Sequence, residues 1–202
     1  MSYSLPLTED QRDCLQEITN VAMGAAAESL ASFTDTFVNL PIPVIRCVDP
    51  SSLVESLKQV EGYEKLSSIS QSFKFSGLNC YALIVINDES IDDLAKCTGR
   101  SLQDDEGVKQ LLHDLCVTIN STCFDRLGEM IENAVETELP NVNSLHVPFE
   151  SIQMEAITDS HQVVTVEINY HIENNPFNCD LLLLFPEDTL DDLTKVLDHL
   201  LR

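Results

Sequence analysis

Between residues 8 and 32 the apolar positions recur with the period of a helix: Leu15, Ile18, Ala22, Ala26 and Leu30 fall on one stripe at about 100° per residue. Thr8 precedes them at an N-cap position, with Gln11 at the spacing of a capping box, so a long helix is predicted over residues 8–32. Residues 36–48 turn β-rich, as Phe37-Val38-Asn39-Leu40 and then Val44-Ile45-Arg46-Cys47-Val48. Pro41 and Pro43 interrupt that run and confine it to a sheet edge or a bulged strand. Residues 68–76 alternate imperfectly, Gly77 and Asn79 turn the chain, and residues 80–86 form an apolar strand. The second half predicts a long helix over 105–136, strands near 142–152, 162–173 and 178–185, and a closing helix over 188–201. Strands joined by short turns imply a mainly antiparallel sheet with helices packed on it.

The same pattern is written twice. Asn79-Cys80-Tyr81-Ala82-Leu83-Ile84-Val85-Ile86 leads to Ile91-Asp92-Asp93-Leu94-Ala95-Lys96, and Asn178-Cys179-Asp180-Leu181-Leu182-Leu183-Leu184-Phe185 leads to Leu190-Asp191-Asp192-Leu193-Thr194-Lys195. The offset is 178 − 79 = 99 at one end and 195 − 96 = 99 at the other, with no gap. Each copy reads as a buried strand, a turn and an amphipathic helix. A repeat of half the chain predicts two pseudo-symmetric halves around one core. No Pro-, Gly- or Ser-rich linker separates them, so a single domain is expected.

Composition narrows the possible functions. The chain has 202 residues with 34 Asp+Glu against 11 Lys+Arg, a formal charge of −23, and 44% of it is hydrophobic. That apolar share excludes general disorder. The acidity argues against nucleic acid and against an anionic membrane surface, since both favour a basic face. No apolar run reaches the roughly 20 residues of a spanning helix, and Met1-Ser2-Tyr3-Ser4 shows no signal pattern. A soluble cytoplasmic protein is expected. The seven cysteines form no C-x-x-C and read as reduced core residues. The five histidines share no i, i+3 or i, i+4 spacing, so no metal site is expected. Glycine-rich phosphate loops and the G-x-S-x-G elbow are missing too, so no cofactor is expected. Acid runs such as Asp104-Asp105-Glu106 and Asp191-Asp192 suit helix caps and flanks.

The first helix carries candidate chemistry on its outer face. Asp13, Glu17, Asn20, Gly24, Ala27 and Ala31 lie opposite the apolar stripe. A solvated helix in so acidic a chain should crowd that face with charge. It bears instead a few polar groups and a bare run of Gly and Ala, on which a second surface can come close to the backbone. The competing reading is that another layer of the same protein covers this face and that Gly24 permits tight packing. Glu17 and Asn20 favour exposure, because buried they would need partners.

Asp13, Glu17, Asn20 and Pro43, with three, two and twenty-two residues between them, resemble the signature of the CheC, CheX and FliY family of chemotaxis phosphatases. The run Glu17-Ile18-Thr19-Asn20-Val21-Ala22-Met23-Gly24 resembles the CheC branch in particular. The resemblance implies a CheC-like fold: an internally duplicated α+β architecture, one domain over residues 1–202 built of halves 1–100 and 101–202. It implies hydrolysis of the aspartyl phosphate of a CheY-like receiver domain. Asn20 would then orient the attacking water, and Glu17 would pair with the receiver lysine that contacts the phosphate. Any Mg²⁺ would be carried by the receiver. Asp13, Gly24 and Pro43 support the site, with Pro43 shaping the strand beneath the helix. The resemblance also names CheD as a partner, and it leaves an alternative: an adaptor that binds a receiver, CheD or a flagellar-switch component without hydrolysis.

In the second half the nearest match is Val117-Thr118-Ile119-Asn120, with Val117 where Glu belongs, His113 where Asp or Ser belongs and Asn143 in place of proline. Asn120 shares a stripe with Val117, Phe124, Leu127 and Ile131, which reads as a hydrogen-bonded core residue. The other reading is that the stripe is exposed and binds a partner. One working site is expected, with Asn120 marking a degenerate second.

Overall fold

The computed structural model describes residues 6–53, 63–152, 157, 159–173 and 177–202, so the N-terminal run Met1–Ser4 lies outside the described residues. Helix α1 (Glu9–Thr34) opens on the expected cap. The Thr8 hydroxyl accepts from Gln11 N–H at 3.3 Å, and the Thr8 N–H donates to Gln11 Oε1 at 2.9 Å. It closes at Asp35, whose left-handed backbone (φ 51°) returns an N–H to the Ala31 carbonyl. Strands β1 (Val38–Asn39) and β2 (Val44–Val48) follow, split by the proline segment, and then the hairpin β3 (Leu66–Phe75) and β4 (Leu78–Asn87). Helix α2 (Asp88–Cys97) completes the first half. The second half contains α3 (Asp105–Met130), β5 (Glu136–Thr137), β6 (Asn141–Val147), β7 (Val163–Ile172), β8 (Asn178–Pro186) and α4 (Leu190–Leu200).

The strands form one antiparallel sheet in the order β1-β7-β8-β4-β3-β5, with β2 also on β7 and β6 also on β3. The proline-interrupted segment thus lies at one edge, where a missing N–H costs least. The central pair β4–β8 joins the halves, and the repeat is visible in its register. Leu83 pairs with Leu182, and 182 − 83 = 99, so a pseudo-twofold axis passes through that pair. The outer strands obey the same operation: Val38 pairs with Ile172 as Thr137 pairs with Phe73, both related by 99.

Alternation on the two central strands builds a core on each sheet face. Cys80, Ala82, Ile84 and Ile86 of β4, with Cys179, Leu181, Leu183 and Phe185 of β8, face the helices. Leu83, Val85, Leu182 and Leu184 face the opposite side, where Val48, Leu53, Ile152 and Ile157 cover them. All seven cysteines are free thiols; five are buried, and Cys14 and Cys97 are half-buried.

Two elements differ from the sequence expectation. Strand β6 ends at Val147 and gives way to a 3₁₀ turn over Phe149–Ser151. Helix α3 stops at Met130 rather than 136. Glu132 turns left-handed (φ 53°), and Asn133 N–H returns to the Gly128 carbonyl at 3.0 Å. A Cβ on Gly128 would lie 2.8 Å from the Asn133 carbonyl oxygen, so glycine is what lets the chain fold back there. The acid run Asp104-Asp105-Glu106 does start α3: the Asp104 side chain accepts from Gly107 N–H at 2.9 Å.

Candidate functional site

Helix α1 lays Leu15, Ile18, Ala22, Ala26 and Leu30 into the core, as its stripe requires. Asp13, Glu17 and Asn20 are exposed on the far side. Gly24 is half-buried, and a Cβ added to it would meet nothing within 4 Å, so tight packing within this chain is not its reason. The bare ridge is shorter than the wheel implied. Ala27 is 9% exposed and Ala31 is half-buried, because α3 packs along this end of α1, with Ser29 and Thr122 hydroxyls 2.7 Å apart.

Asp13 is held on the surface by Arg12, whose Nη2 donates to Asp13 Oδ1 at 2.8 Å. Pro43 is buried, and its carbonyl accepts from Gln16 Nε2 at 2.6 Å. Gln16 escaped the sequence reading, although its place between Asp13 and Glu17 put it beside the ridge. Cys14 is the thiol on this stretch of α1. Burial pushes it up, and the charge of Glu17 pushes the same way, so it stays protonated and a poor nucleophile. What the ridge offers is hydrogen bonding and two carboxylates, that of Asp13 already paired with Arg12.

The second half departs further. Asn120 is 0% exposed; its Nδ2 donates to Gln71 Oε1 at 2.9 Å and approaches Cys116 Sγ at 3.2 Å. Phe124 and Leu127 are buried with it, which overturns the reading of an exposed partner-binding stripe. Only Val117, at 40%, lies open. The pattern of burial also corrects the alignment of the two helices. Adding 97 to the buried positions Leu15, Ile18, Ala22, Ala26 and Leu30 gives Leu112, Leu115, Ile119, Cys123 and Leu127, all buried. An offset of 100, which would pair Asn20 with Asn120, puts Ala26 opposite exposed Arg126.

At the offset of 97, Asn20 corresponds to Val117, Glu17 to Asp114 and Met23 to Asn120. The side-chain contacts agree. Tyr170 OH donates to Met23 Sδ at 2.9 Å, and Gln71, which is 170 − 99, accepts from Asn120. Asp114 in turn is locked by Arg100, with Nη2 2.6 Å from its Oδ2, and the guanidinium lies 6.0 Å from the Phe33 ring. The α3 face therefore presents a valine where α1 presents a carboxamide.

Solved structures share this architecture. FliY of Thermotoga maritima superposes with a TM-score of 0.76 at 18% identity, covering 96% of this chain and 99% of that one. The FliM middle domain of H. pylori gives 0.63 at 12% identity, over 94% and 99%. A CheC-like superfamily protein from a Shewanella species gives 0.58 at 11% identity, over 88% and 98%. The chain has the CheC-like fold. No protein-family model and no curated protein matches it by sequence. In terms of that fold, Glu17 and Asn20 stand on the long helix of one half, and the second long helix lacks the amide at the matching place. Among the described residues no cluster of three His, Cys, Asp or Glu side chains could hold a metal ion, and no helix is long and apolar enough to cross a membrane.

Proposed function

We propose that this protein acts in chemotaxis signalling as a phosphatase for the aspartyl phosphate of a CheY-like receiver domain, through one site on α1. The observation that carries the reading is the pair Glu17 and Asn20, exposed one turn apart on the part of the α1 face that α3 leaves open. A carboxamide does not titrate, so Asn20 serves by orientation: its amide aligns a water with the phosphorus and is no general base. Water attacks in line, the bond from phosphorus to the aspartyl oxygen breaks, and inorganic phosphate leaves with the carboxylate restored. Such phosphoryl transfer depends on positioning and electrostatics more than on covalent help. Glu17 supplies register by pairing with a receiver lysine near the phosphate. Mg²⁺ arrives with the receiver as part of the substrate.

The test is the decay of a phosphorylated receiver with wild type, Glu17→Ala and Asn20→Ala. The reading expects fast decay with wild type and decay near the uncatalysed rate with Asn20→Ala. Equal decay with all three defeats it.

A second reading has its own support. FliM shares the fold and has been solved in complex with FliG, and here Val117 removes the amide from one of two equivalent faces. An adaptor that binds a receiver, CheD or a flagellar-switch component would need no amide at either face. Receiver binding without accelerated decay would favour it.

A further inference from the structure

Pro43 stands twenty-three residues beyond Asn20 in sequence, and the structure supplies a physical link between them. The ladder of β2 with β7 begins at Val44, so the Pro43 carbonyl lies just outside the strand pairing. Proline has no N–H to give and a fixed φ, so the carbonyl is the one backbone polar group it presents, at a restricted angle. Gln16 Nε2 takes that carbonyl at 2.6 Å. Gln16 precedes Asn20 by four residues, hence lies on the same face of α1, and it precedes Glu17 by one. On either side of buried Pro43 the chain exposes Ile42, at 70%, and Val44, at 42%. One hydrogen bond thus ties the Glu17–Asn20 ridge to an apolar edge.

Among the described residues the other half has no such tie. At the offset of 97 the place of Gln16 is taken by His113, whose Nδ1 lies 3.9 Å from Asp114 Oδ1 on its own helix. The edge segment there is held from the sheet instead, by Gln71 Nε2 donating to the Glu138 carbonyl at 2.8 Å. The helix-to-edge strap occurs in the half that keeps the carboxamide.

We propose that Gln16 is a positioning residue for the α1 site: by holding the Pro43 carbonyl it sets the spacing between the Glu17–Asn20 ridge and the Ile42–Val44 edge, so that one receiver surface meets both. This rests on the proposed function. Gln16 touches no reacting atom, so it governs how well the receiver seats and leaves the attack itself to Asn20.

The test uses a CheY receiver domain charged with acetyl phosphate and Mg²⁺ for turnover, and the same domain with beryllofluoride for binding by calorimetry. Gln16→Leu removes the donor at similar size, and Gln16→Lys keeps a donor on a longer stem. One neutral hydrogen bond corresponds to about a three- to tenfold effect, so Gln16→Leu should raise KM and the beryllofluoride Kd by that factor with kcat kept. Gln16→Lys should restore part of the loss, and Ile42→Ser should reproduce it. The proposal is overturned if Gln16→Leu leaves KM and Kd unchanged, or if it lowers kcat alone. If wild type binds the beryllofluoride receiver but turns nothing over, hydrolysis is refuted while the Kd of Gln16→Leu still decides the strap. If wild type neither binds nor hydrolyses, both fall.

Discussion

Asn120 gives its amide to Gln71 beneath α3, in the position where Met23 receives the Tyr170 hydroxyl beneath α1. The two halves have therefore solved the same packing problem with different chemistry. One pairs a thioether with a phenol, and the other buries two carboxamides. The second solution is incompletely satisfied, because Asn120 Oδ1 has no hydrogen-bond partner among the described residues.

The stability consequence is asymmetric. Gln71→Ala strands the Asn120 amide in the core, leaving it only the Cys116 sulfur, and should cost about 1–3 kcal/mol in urea unfolding. Asn120→Leu removes the orphan oxygen along with the donor and should cost less than Gln71→Ala. The reverse order of urea midpoints would show that the pair is not the stabilising unit.

Gly24 separates folding from partner contact. Its Cβ direction is open, so Gly24→Ala should stabilise α1 by about 0.5–1 kcal/mol through helix propensity alone. If a receiver comes close to the backbone there, the same methyl group should weaken receiver binding while the melting temperature rises. A rise in melting temperature with unchanged binding would place the partner away from Gly24.

Glu17 and Asn20 are exposed, and among the described residues neither side chain makes a hydrogen bond that stability would miss. Glu17→Ala and Asn20→Ala should change unfolding free energy by no more than about 0.5 kcal/mol. Receiver dephosphorylation should nonetheless fall sharply in Asn20→Ala. Loss of folding in either variant would assign these side chains a structural task.

Much of this was legible from residue order because it depends on short-range periodicity. The apolar strands at 80–86 and 178–185, the 99-residue repeat and the Thr8–Gln11 cap need only local pattern, and the antiparallel sheet follows from their turns. The equivalence of the two long helices was not legible. Asn20 and Asn120 look like counterparts by residue type, whereas burial relates them through a different offset that only packing against the sheet fixes. The end of α3 depended on a contact between Gly128 and the Asn133 carbonyl, which helical periodicity does not register. Gln16 carries no local signal for its contact, because its partner is a backbone carbonyl 27 residues away.

Asp180 makes the fold sensitive to pH. It corresponds to Tyr81 in the repeat, is wholly buried on β8, and accepts from Asn169 Nδ2 at 2.7 Å, its second oxygen without a partner among the described residues. Burial pushes its carboxyl up to about 6, and the nearby Glu167 charge pushes the same way, against the lowering effect of the Asn169 hydrogen bond. In the unfolded chain the group titrates near the ordinary aspartate value of about 3.9. Between those two values the folded state holds more protons than the unfolded one, so this group's contribution is fully present below pH ~4 and is lost as pH rises through ~6. A shift of about two units is worth about 3 kcal/mol. Asp180→Asn removes that loss and still offers Asn169 an acceptor, so it should raise the urea midpoint at pH 7.5 and change it little at pH 4. The measurement is the difference between the wild-type and Asp180→Asn midpoints from pH 4 to 8, which subtracts the titration of the other acids. A difference that stays flat across that range would show that Asp180 is ionised at its ordinary value within the folded protein.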